Sequence, residues 1–101
     1  MSIAEIQEVF HVVKQRPIQF WTSEDIHDWL KRRRPKLALK YAFCFIRHRI
    51  TGRVLVEMTE QDLLEIGIYS REERHDIIYE VLREKLHCDY IELKTAEADA
   101  E

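Results

Sequence analysis

The segment MTEQDLLEIGI, residues 58–68, contains both the start and the end of one short helix. Thr59 is a good N-cap, and Asp62, three residues later, can complete a capping box with it. Gly67 stands where helices often end, because glycine tolerates the left-handed backbone of that position. The apolar residues between these signals are Leu63, Leu64 and Ile66. The segment therefore predicts a short helix with a defined start and a defined stop.

The same start signal occurs on both sides of this segment. Thr22 and Asp25 form an approximate capping box before IHDWL, and Ser70 and Glu73 form a full S-x-x-E box before the last apolar pattern. That pattern predicts a long helix with one apolar stripe. The stripe consists of Ile77, Ile78, Val81, Leu82 and Leu86, and it continues through Ile91 and Leu93.

Other apolar patterns predict further helices. The segment KLALKYAFCFIRH, residues 36–48, is expected to be one helix that follows Pro35. Gly52 supplies backbone freedom before a short helical turn. An amphipathic helix is predicted for residues 1–16, and we expect it to pack on the core or, alternatively, to bind a partner. Its apolar stripe is Ile3, Ile6, Phe10 and Val13.

The chain of 101 residues is predicted to form one all-α domain. We divide it into the amphipathic helix of residues 1–16, a domain over residues 17–93 with an extended last helix, and an acidic flexible tail over residues 94–101. The two cysteines form no CxxC pair, which is typical of a reduced cytoplasmic protein. No apolar run approaches the length of a bilayer span, so we expect no membrane insertion.

The histidines, cysteines and serines do not form a catalytic or metal-binding pattern. The five histidines fall in separate segments, without the spacing to Cys, Asp or Glu that a metal site requires. The sequence contains no P-loop, GxSxG or HExxH motif. The chain is therefore predicted to be no enzyme and to use no cofactor, which favours a binding role.

The charge of the chain is unevenly divided. The net charge is −3, but residues 29–56 hold nine Lys and Arg and no acidic residue, so this window carries +9 and the rest −12. Its densest part contains Lys31, Arg32, Arg33, Arg34 and Lys36. These residues can steer an acidic protein partner, contact RNA phosphates or act as a nuclear-import signal. Because the nearby aromatics other than Phe43 belong to the core pattern, we expect a protein partner and not nucleic acid.

In order and spacing, residues 21–86 resemble the sterile alpha motif (SAM) domain family. The resemblance is carried by Trp21 and IHDWL, Tyr41 and Phe45, ITGRVL, MTEQDLLEIGI and RHDII. It implies a five-helix bundle, here with an additional N-terminal helix and a long C-terminal helix. The ITGR segment and the small size are similar to the Aveugle/Hyphen group of short SAM adaptor proteins. That group implies a bridge between a SAM-bearing scaffold and a kinase module in Ras–MAP-kinase signalling.

The resemblance also implies two unlike surfaces through which SAM domains pair. The mid-loop candidates are Glu57, Glu60, Asp62 and Glu65. The end-helix candidates are Ile68, Tyr69, Arg71, Arg74 and His75. The expected partner is another SAM-domain protein, either a scaffold or a kinase-associated protein, and self-association is an alternative. Glu72 replaces a glycine of many SAM domains, which would weaken or redirect the end-helix contact.

Structural roles compete with these interface roles. Arg74 could pair with Glu73 or Asp76 inside the fold, and Tyr69 could cover the core. In favour of an interface, a helix N-terminus presents unpaired N–H groups, and an arginine beside it can hold a carboxylate through two hydrogen bonds. Tyrosine is also enriched among the residues that dominate interface energies.

Overall fold

The computed structural model describes residues 16–41 and 43–100, with the backbone alone for residues 95–100. Apart from Arg16, the amphipathic helix predicted for residues 1–16 lies outside the described residues. The first described element is a 3-10 turn, Ile18–Phe20. The six α-helices that follow are α1 Ser23–Arg33, α2 Pro35–Lys40, α3 Cys44–Arg47, α4 Gly52–Leu55, α5 Glu60–Glu65 and α6 Arg71–Ala100.

The all-α prediction is confirmed, since the described residues contain helices and no strand. One predicted helix is divided: residues 36–48 form α2 and α3. The α2 helix ends at Lys40, and Tyr41 as its C-cap has φ −116° and ψ 28°. The break lets the Tyr41 hydroxyl reach Glu73 of α6 at 2.8 Å, while Phe45 of α3 remains buried. The pair α2 and α3 thus takes the place of the second helix of the expected five.

The predicted helix ends are present where the sequence places them. The Thr59 N–H donates to the Asp62 carboxylate at 2.8 Å, and the Asp62 N–H donates to the Thr59 hydroxyl at 3.2 Å. Thr22 and Asp25 form the same reciprocal box. After α5, the Gly67 N–H donates to the Leu64 carbonyl and the Ile68 N–H to the Leu63 carbonyl. This pattern, with Gly67 at φ +109°, is the Schellman stop.

Gly52 has a different role from the predicted one. The structure gives it no positive φ, and it is the first residue of α4. A Cβ at this position would overlap the carbonyl oxygen of Ile18 in the 3-10 turn. The Gly52 N–H also donates to the Trp21 carbonyl at 2.9 Å. Glycine is required here because the backbone of α4 packs directly on the backbone of the 3-10 turn.

The core lies between the 3-10 turn, the short helices and the first half of α6. Its fully buried side chains are Ile18, Ile26, Leu30, Leu63, Ile68 and Ile77. The rings of Trp21 and Trp29 contact each other with centroids 5.7 Å apart. None of the helices in the described residues combines the length and the hydropathy that a bilayer span demands.

The α6 helix differs from the prediction in two respects. It continues past residue 93 to Ala100, so the segment predicted as a separate tail is helical through residue 100. Alanine, glutamate and lysine favour this continuation because they have high helix propensity. The predicted single stripe is also divided: Ile77 and Val81 are buried, whereas Leu82, Leu86 and Leu93 are more than half exposed. The first set packs on the core, and Leu82 borders the groove that this set lines with Leu55 and Leu63.

Candidate protein interface

The N-terminus of α6 is tied to two other helices. The Glu73 N–H donates to the Ser70 hydroxyl at 3.3 Å, which is half of the predicted capping box. The Glu73 carboxylate turns instead to the Lys40 ammonium at 2.9 Å and the Tyr41 hydroxyl at 2.8 Å. Hydrogen bonds from Lys40 and Tyr41 lower the pKa of Glu73. The glutamate therefore joins α6 to α2 rather than closing its own helix end.

Arg74 is buried, and its partners differ from both predicted acids. Its guanidinium donates to the Ile68 carbonyl at 3.0 Å and to the Glu60 carboxylate at 3.2 and 3.3 Å. The second Glu60 oxygen lies 3.2 Å from His75 Nε2. The hydrogen bond from His75 and, after it, the one from Arg74 lower the pKa of Glu60. Arg74 is thus an internal link between α5 and α6, and little of its side chain is exposed for the partner surface to which the sequence assigned it.

The end-helix surface is consequently smaller than the sequence predicted. Ile68 is fully buried beneath α6 and belongs to the core. Tyr69 is 78% exposed, so it does not cover the core. Arg71, Glu72 and His75 are exposed as well. We define the end-helix surface as Tyr69, Arg71, Glu72 and His75.

The mid-loop candidates also separate into two groups. Glu57, Asp62 and Glu65 border one shallow groove of about 570 Å³ between α4 and α5. Glu60 lies elsewhere, because it is held by Arg74 and His75. Asp62 is partly engaged in its own helix cap, whereas Glu57 and Glu65 are exposed. We define the mid-loop groove as Arg53, Val54, Glu57, Met58, Asp62, Glu65 and Ile66.

Two of the five predicted basic residues are used inside the fold. Arg34 Nε donates to the Glu80 carboxylate at 2.8 Å, and Arg33 Nε donates to the other oxygen at 3.4 Å. Burial raises the pKa of Glu80, but the hydrogen bond from Arg34 and the charge of Arg33 outweigh it, so the net shift is downward. The remaining three residues are exposed. We define the basic surface as Lys31, Arg32 and Lys36.

A further exposed patch has only a partial signal in the sequence. Leu39 is 83% exposed and Phe43 is 71% exposed, and both line a groove with Lys40 and Arg47. The position of Phe43 outside the core pattern was the signal. Leu39 carried no such signal in the sequence. The core position of α2 is occupied by Leu37, two residues earlier.

The described residues offer little for metal or thiol chemistry. No three His, Cys, Asp or Glu side chains among them converge into a group that could hold a metal ion. Both cysteines are free thiols. The Cys44 thiol donates to the Ile66 carbonyl at 3.1 Å, and burial raises its pKa. A raised pKa keeps the thiol protonated and poorly nucleophilic.

Comparison with known proteins places this geometry in a family. The family model for the SAM domain (Sterile alpha motif) matches residues 18–83. The chain is 27% identical to Protein aveugle of Drosophila melanogaster over 84 residues, which cover 83% of this chain and 78% of that protein. It is 35% identical to Sterile alpha motif domain-containing protein 9-like of Mus musculus over 57 residues, which cover 56% of this chain and 4% of that protein.

The matched region runs from the 3-10 turn into α6 and includes the mid-loop groove and the end-helix surface. Domains of this kind are generally protein–protein interaction modules. Since the family model covers more than half of the residues and the described helices form the expected bundle, the chain belongs to the SAM domain (sterile alpha motif) family.

Proposed function

We propose that this chain is a non-catalytic adaptor that pairs its SAM domain with the SAM domain of another protein. The observation that carries the proposal is the presence of two exposed surfaces that share no residue and differ in character. The mid-loop groove has three carboxylates and one arginine, whereas the end-helix surface presents a tyrosine, an arginine and a histidine beside the single carboxylate of Glu72. Unlike surfaces favour a heterologous, head-to-tail contact between two domains.

The end-helix surface has the properties of an energetic anchor. Tyr69 offers a large amphipathic side chain that is 78% exposed, and tyrosine is enriched at hot spots. Arg71 is exposed beside the first turn of α6 and can hold a partner carboxylate through two hydrogen bonds. The internal contacts of Arg74 fix the backbone beneath these side chains. A rigid surface of this kind loses less conformational entropy when a partner binds.

The mid-loop groove is complementary to such an anchor. Glu57 and Glu65 supply exposed carboxylates at its rim, and Val54, 45% exposed, supplies apolar area. A partner that presents an arginine or lysine beside an apolar side chain fits this combination. A chain that used both surfaces at once would link two different partners.

The resemblance to the Aveugle/Hyphen group supports a place in a Ras–MAP-kinase signalling scaffold in the cytoplasm. The match to Protein aveugle over most of this chain is in line with that assignment. The partner would then be a SAM-domain scaffold or a kinase-associated SAM protein. The basic surface would attract an acidic partner at long range, and salt would weaken this attraction.

Quantitative affinity capture from a cell lysate tests the proposal with three variants of the full chain. The end-helix variant is Tyr69→Ala with Arg71→Glu, and the mid-loop variant is Glu57→Lys with Glu65→Lys. Arg32→Glu is the matched control, since it reverses an exposed charge outside both surfaces. We expect the wild type and the control to enrich the same SAM-domain proteins, and at least one interface variant to lose them.

Two outcomes would contradict the proposal. One is capture of the same SAM-domain proteins at equal levels by the wild type and both interface variants. The other is the absence of any SAM-domain protein from the captured material together with retention of RNA that Arg32→Glu abolishes. The second outcome would favour the RNA-hairpin alternative, which relies on the basic surface.

A further inference from the structure

The α6 helix carries a second apolar face that is more exposed than the face packed on the core. Five of its side chains, spaced three, four, four and three residues apart, are each 51–60% exposed. We call them the outer stripe: Tyr79, Leu82, Leu86, Tyr90 and Leu93. Leu86 follows the buried Ile77 by nine residues, which is two and a half helical turns. The centre of the outer stripe therefore lies on the side of α6 opposite to the bundle, whereas Leu82 at its margin borders a groove with Leu55 and Leu63.

The start of the described chain lies on the other side of α6. The backbone of Ile18 is hydrogen-bonded to Cys88, and the 3-10 turn contacts α6. Cys88 follows Ile77 by eleven residues, which is close to three full turns, so both residues share the inner face. The described chain therefore begins at the inner face of α6, away from the outer stripe.

The spacing of the outer stripe is that of a coiled-coil seam. In one heptad register Tyr79, Leu86 and Leu93 stand at d and Tyr90 at a. Arg83 takes the remaining a position in that register, and Leu82 lies at g on the flank of the seam. The stripe mixes leucine and tyrosine, and its far end extends beyond the part of α6 that packs on the core. A helix of similar length is the shape that fits it.

The charges beside the outer stripe identify the second helix. In that register Lys94 lies at e on one edge of the stripe and Asp89 at g on the other, where the charges of Lys85 and Glu92 offset each other. In a parallel pair of identical helices, the edge of one helix faces the opposite edge of its partner. Across a parallel seam, a flanking residue faces the opposite flank of the partner helix five positions later. Asp89 of one helix and Lys94 of the other have this offset. An antiparallel pair would instead place like edges together.

We infer that the outer stripe is the seam of a parallel homodimer formed by two copies of α6. The two bundles lie on the far sides of the seam, so they do not obstruct each other. Covering the five half-exposed side chains removes about 100 Å² each and about 1,000 Å² per dimer, at the low end of specific interfaces. We expect a dimer with so small a seam to dissociate in the micromolar range.

Dimerisation would change what the adaptor can join. Two copies would present two end-helix surfaces and two mid-loop grooves on one particle, which raises avidity for a clustered partner. This consequence, unlike the seam itself, rests on the proposed function. A twofold seam also closes upon itself, whereas head-to-tail pairing of SAM surfaces makes open chains. The stoichiometry therefore separates the two kinds of association.

Sedimentation equilibrium of the full chain between about 1 and 300 μM tests the seam across the expected micromolar range. We expect the wild type to approach twice its 12.3 kDa mass and not to exceed it. Leu86→Asp should weaken the dimer at least about 100-fold, because each dimer loses two buried leucines. Leu39→Asp makes the same chemical change at an exposed leucine of α2 and should dimerise like the wild type. Circular dichroism verifies that both variants keep their helices.

A charge-reversal cycle tests the parallel orientation. Asp89→Lys and Lys94→Asp should each weaken the dimer, and the double variant should recover most of the loss. The Lys94 variant also loses its contact with the Tyr90 ring, 5.6 Å away, so the recovery is judged against Asp89→Lys. Failure of the double variant to recover would overturn the parallel seam.

Other results would overturn the seam itself. A wild type that stays monomeric at every concentration would do so, as would a Leu86→Asp chain that dimerises normally. A third contradicting result combines a wild type that stays monomeric with an Ile6→Asp, Phe10→Asp double variant that dimerises. Residues 1–15 would then be the segment that covers the outer stripe. The end-helix variant, whose nearer substitution at Arg71 lies about 22 Å along α6 from Leu86, should leave the dimer intact even if the proposed SAM pairing fails.

Discussion

Replacing Gly52 with alanine tests how closely α4 packs on the 3-10 turn. The added Cβ would overlap the Ile18 carbonyl oxygen and would lie 2.8 Å from the Ile18 carbonyl carbon. The third neighbour is the Cβ of Trp21 at 3.2 Å. The nearest atoms are backbone atoms, so no side chain can rotate away. One of the two backbone segments must move.

The expected cost follows from three contributions. Forcing an extra carbon into a packed site costs about 1–3 kcal/mol. Separating the two segments also breaks the hydrogen bond from the Gly52 N–H to the Trp21 carbonyl, 2.9 Å in length, at about 1 kcal/mol. The higher helix propensity of alanine returns up to about 1 kcal/mol. We expect Gly52→Ala to lower the free energy of unfolding by about 2–3 kcal/mol and the melting temperature by about 10–20 °C.

Urea unfolding followed by far-ultraviolet circular dichroism measures this change, with thermal unfolding as a second reading. Arg53→Ala is the control, because the exposed neighbouring position accepts alanine without a clash, and its effect should stay within about 0.5 kcal/mol. A Gly52→Ala protein with wild-type stability and an unchanged spectrum would refute the backbone contact between α4 and the 3-10 turn.

Three further predictions concern the joints of the bundle. Gly67→Ala should lower the free energy of unfolding, measured in urea, by about 1 kcal/mol. This cost comes from the φ of +109° alone, since nothing lies within 4 Å of the added Cβ. A variant as stable as the wild type would contradict the Schellman stop. Glu80→Gln should lower the melting temperature by several degrees, because two arginines lose their carboxylate partner, and an unchanged value would argue against that cluster. The lowered pKa of Glu73 contributes stability above the unfolded glutamate pKa of about 4.3, and this stability is lost as pH falls through that value and then through the native pKa. Glu73→Gln should therefore flatten the fall in unfolding free energy below about pH 5, and a curve with the wild-type slope would contradict this reading.

The local structure was predictable because its causes are local. Thr59, Asp62 and Gly67 stand within nine residues of each other, and their side-chain and backbone preferences suffice to start and stop α5. The same holds for the box of Thr22 and Asp25. Such signals act within one helical turn, so they can be read without knowing the fold.

The assignment of interface residues depended on contacts that the sequence does not reveal. Arg74 meets Glu60 across fourteen positions, and Arg34 meets Glu80 across forty-six. From the sequence, each of these charges has several candidate partners at helical spacing. The fold selects one of them and thereby removes Arg74 from the end-helix surface.

The division of charge in the sequence also has a partly structural explanation. Three cations of the acid-free window are paired with acids of α6: Arg33 and Arg34 with Glu80, and Lys40 with Glu73. The basic helices and the acidic last helix therefore complement each other within one bundle. Only the remaining exposed cations are free to act at long range on a partner.

The two faces of α6 could not be separated by periodicity alone. Ile77 and Val81 are four residues apart, as are Leu82 and Leu86, so helical spacing alone does not distinguish the two pairs. Only the position of the bundle shows that the second pair faces outward. A helix that is apolar on two sides has to contact a second partner or leave that side exposed.

The central claim, pairing through the end-helix surface or the mid-loop groove, is tested most directly by calorimetric titration with a purified SAM domain obtained by the capture experiment. Wild type and Arg32→Glu should bind it with affinities that agree within about twofold at 0.15 M salt, where long-range attraction is screened. Tyr69→Ala with Arg71→Glu, or Glu57→Lys with Glu65→Lys, should weaken binding at least about tenfold, as expected for loss of a hot spot. Equal affinity for all four proteins would contradict the account.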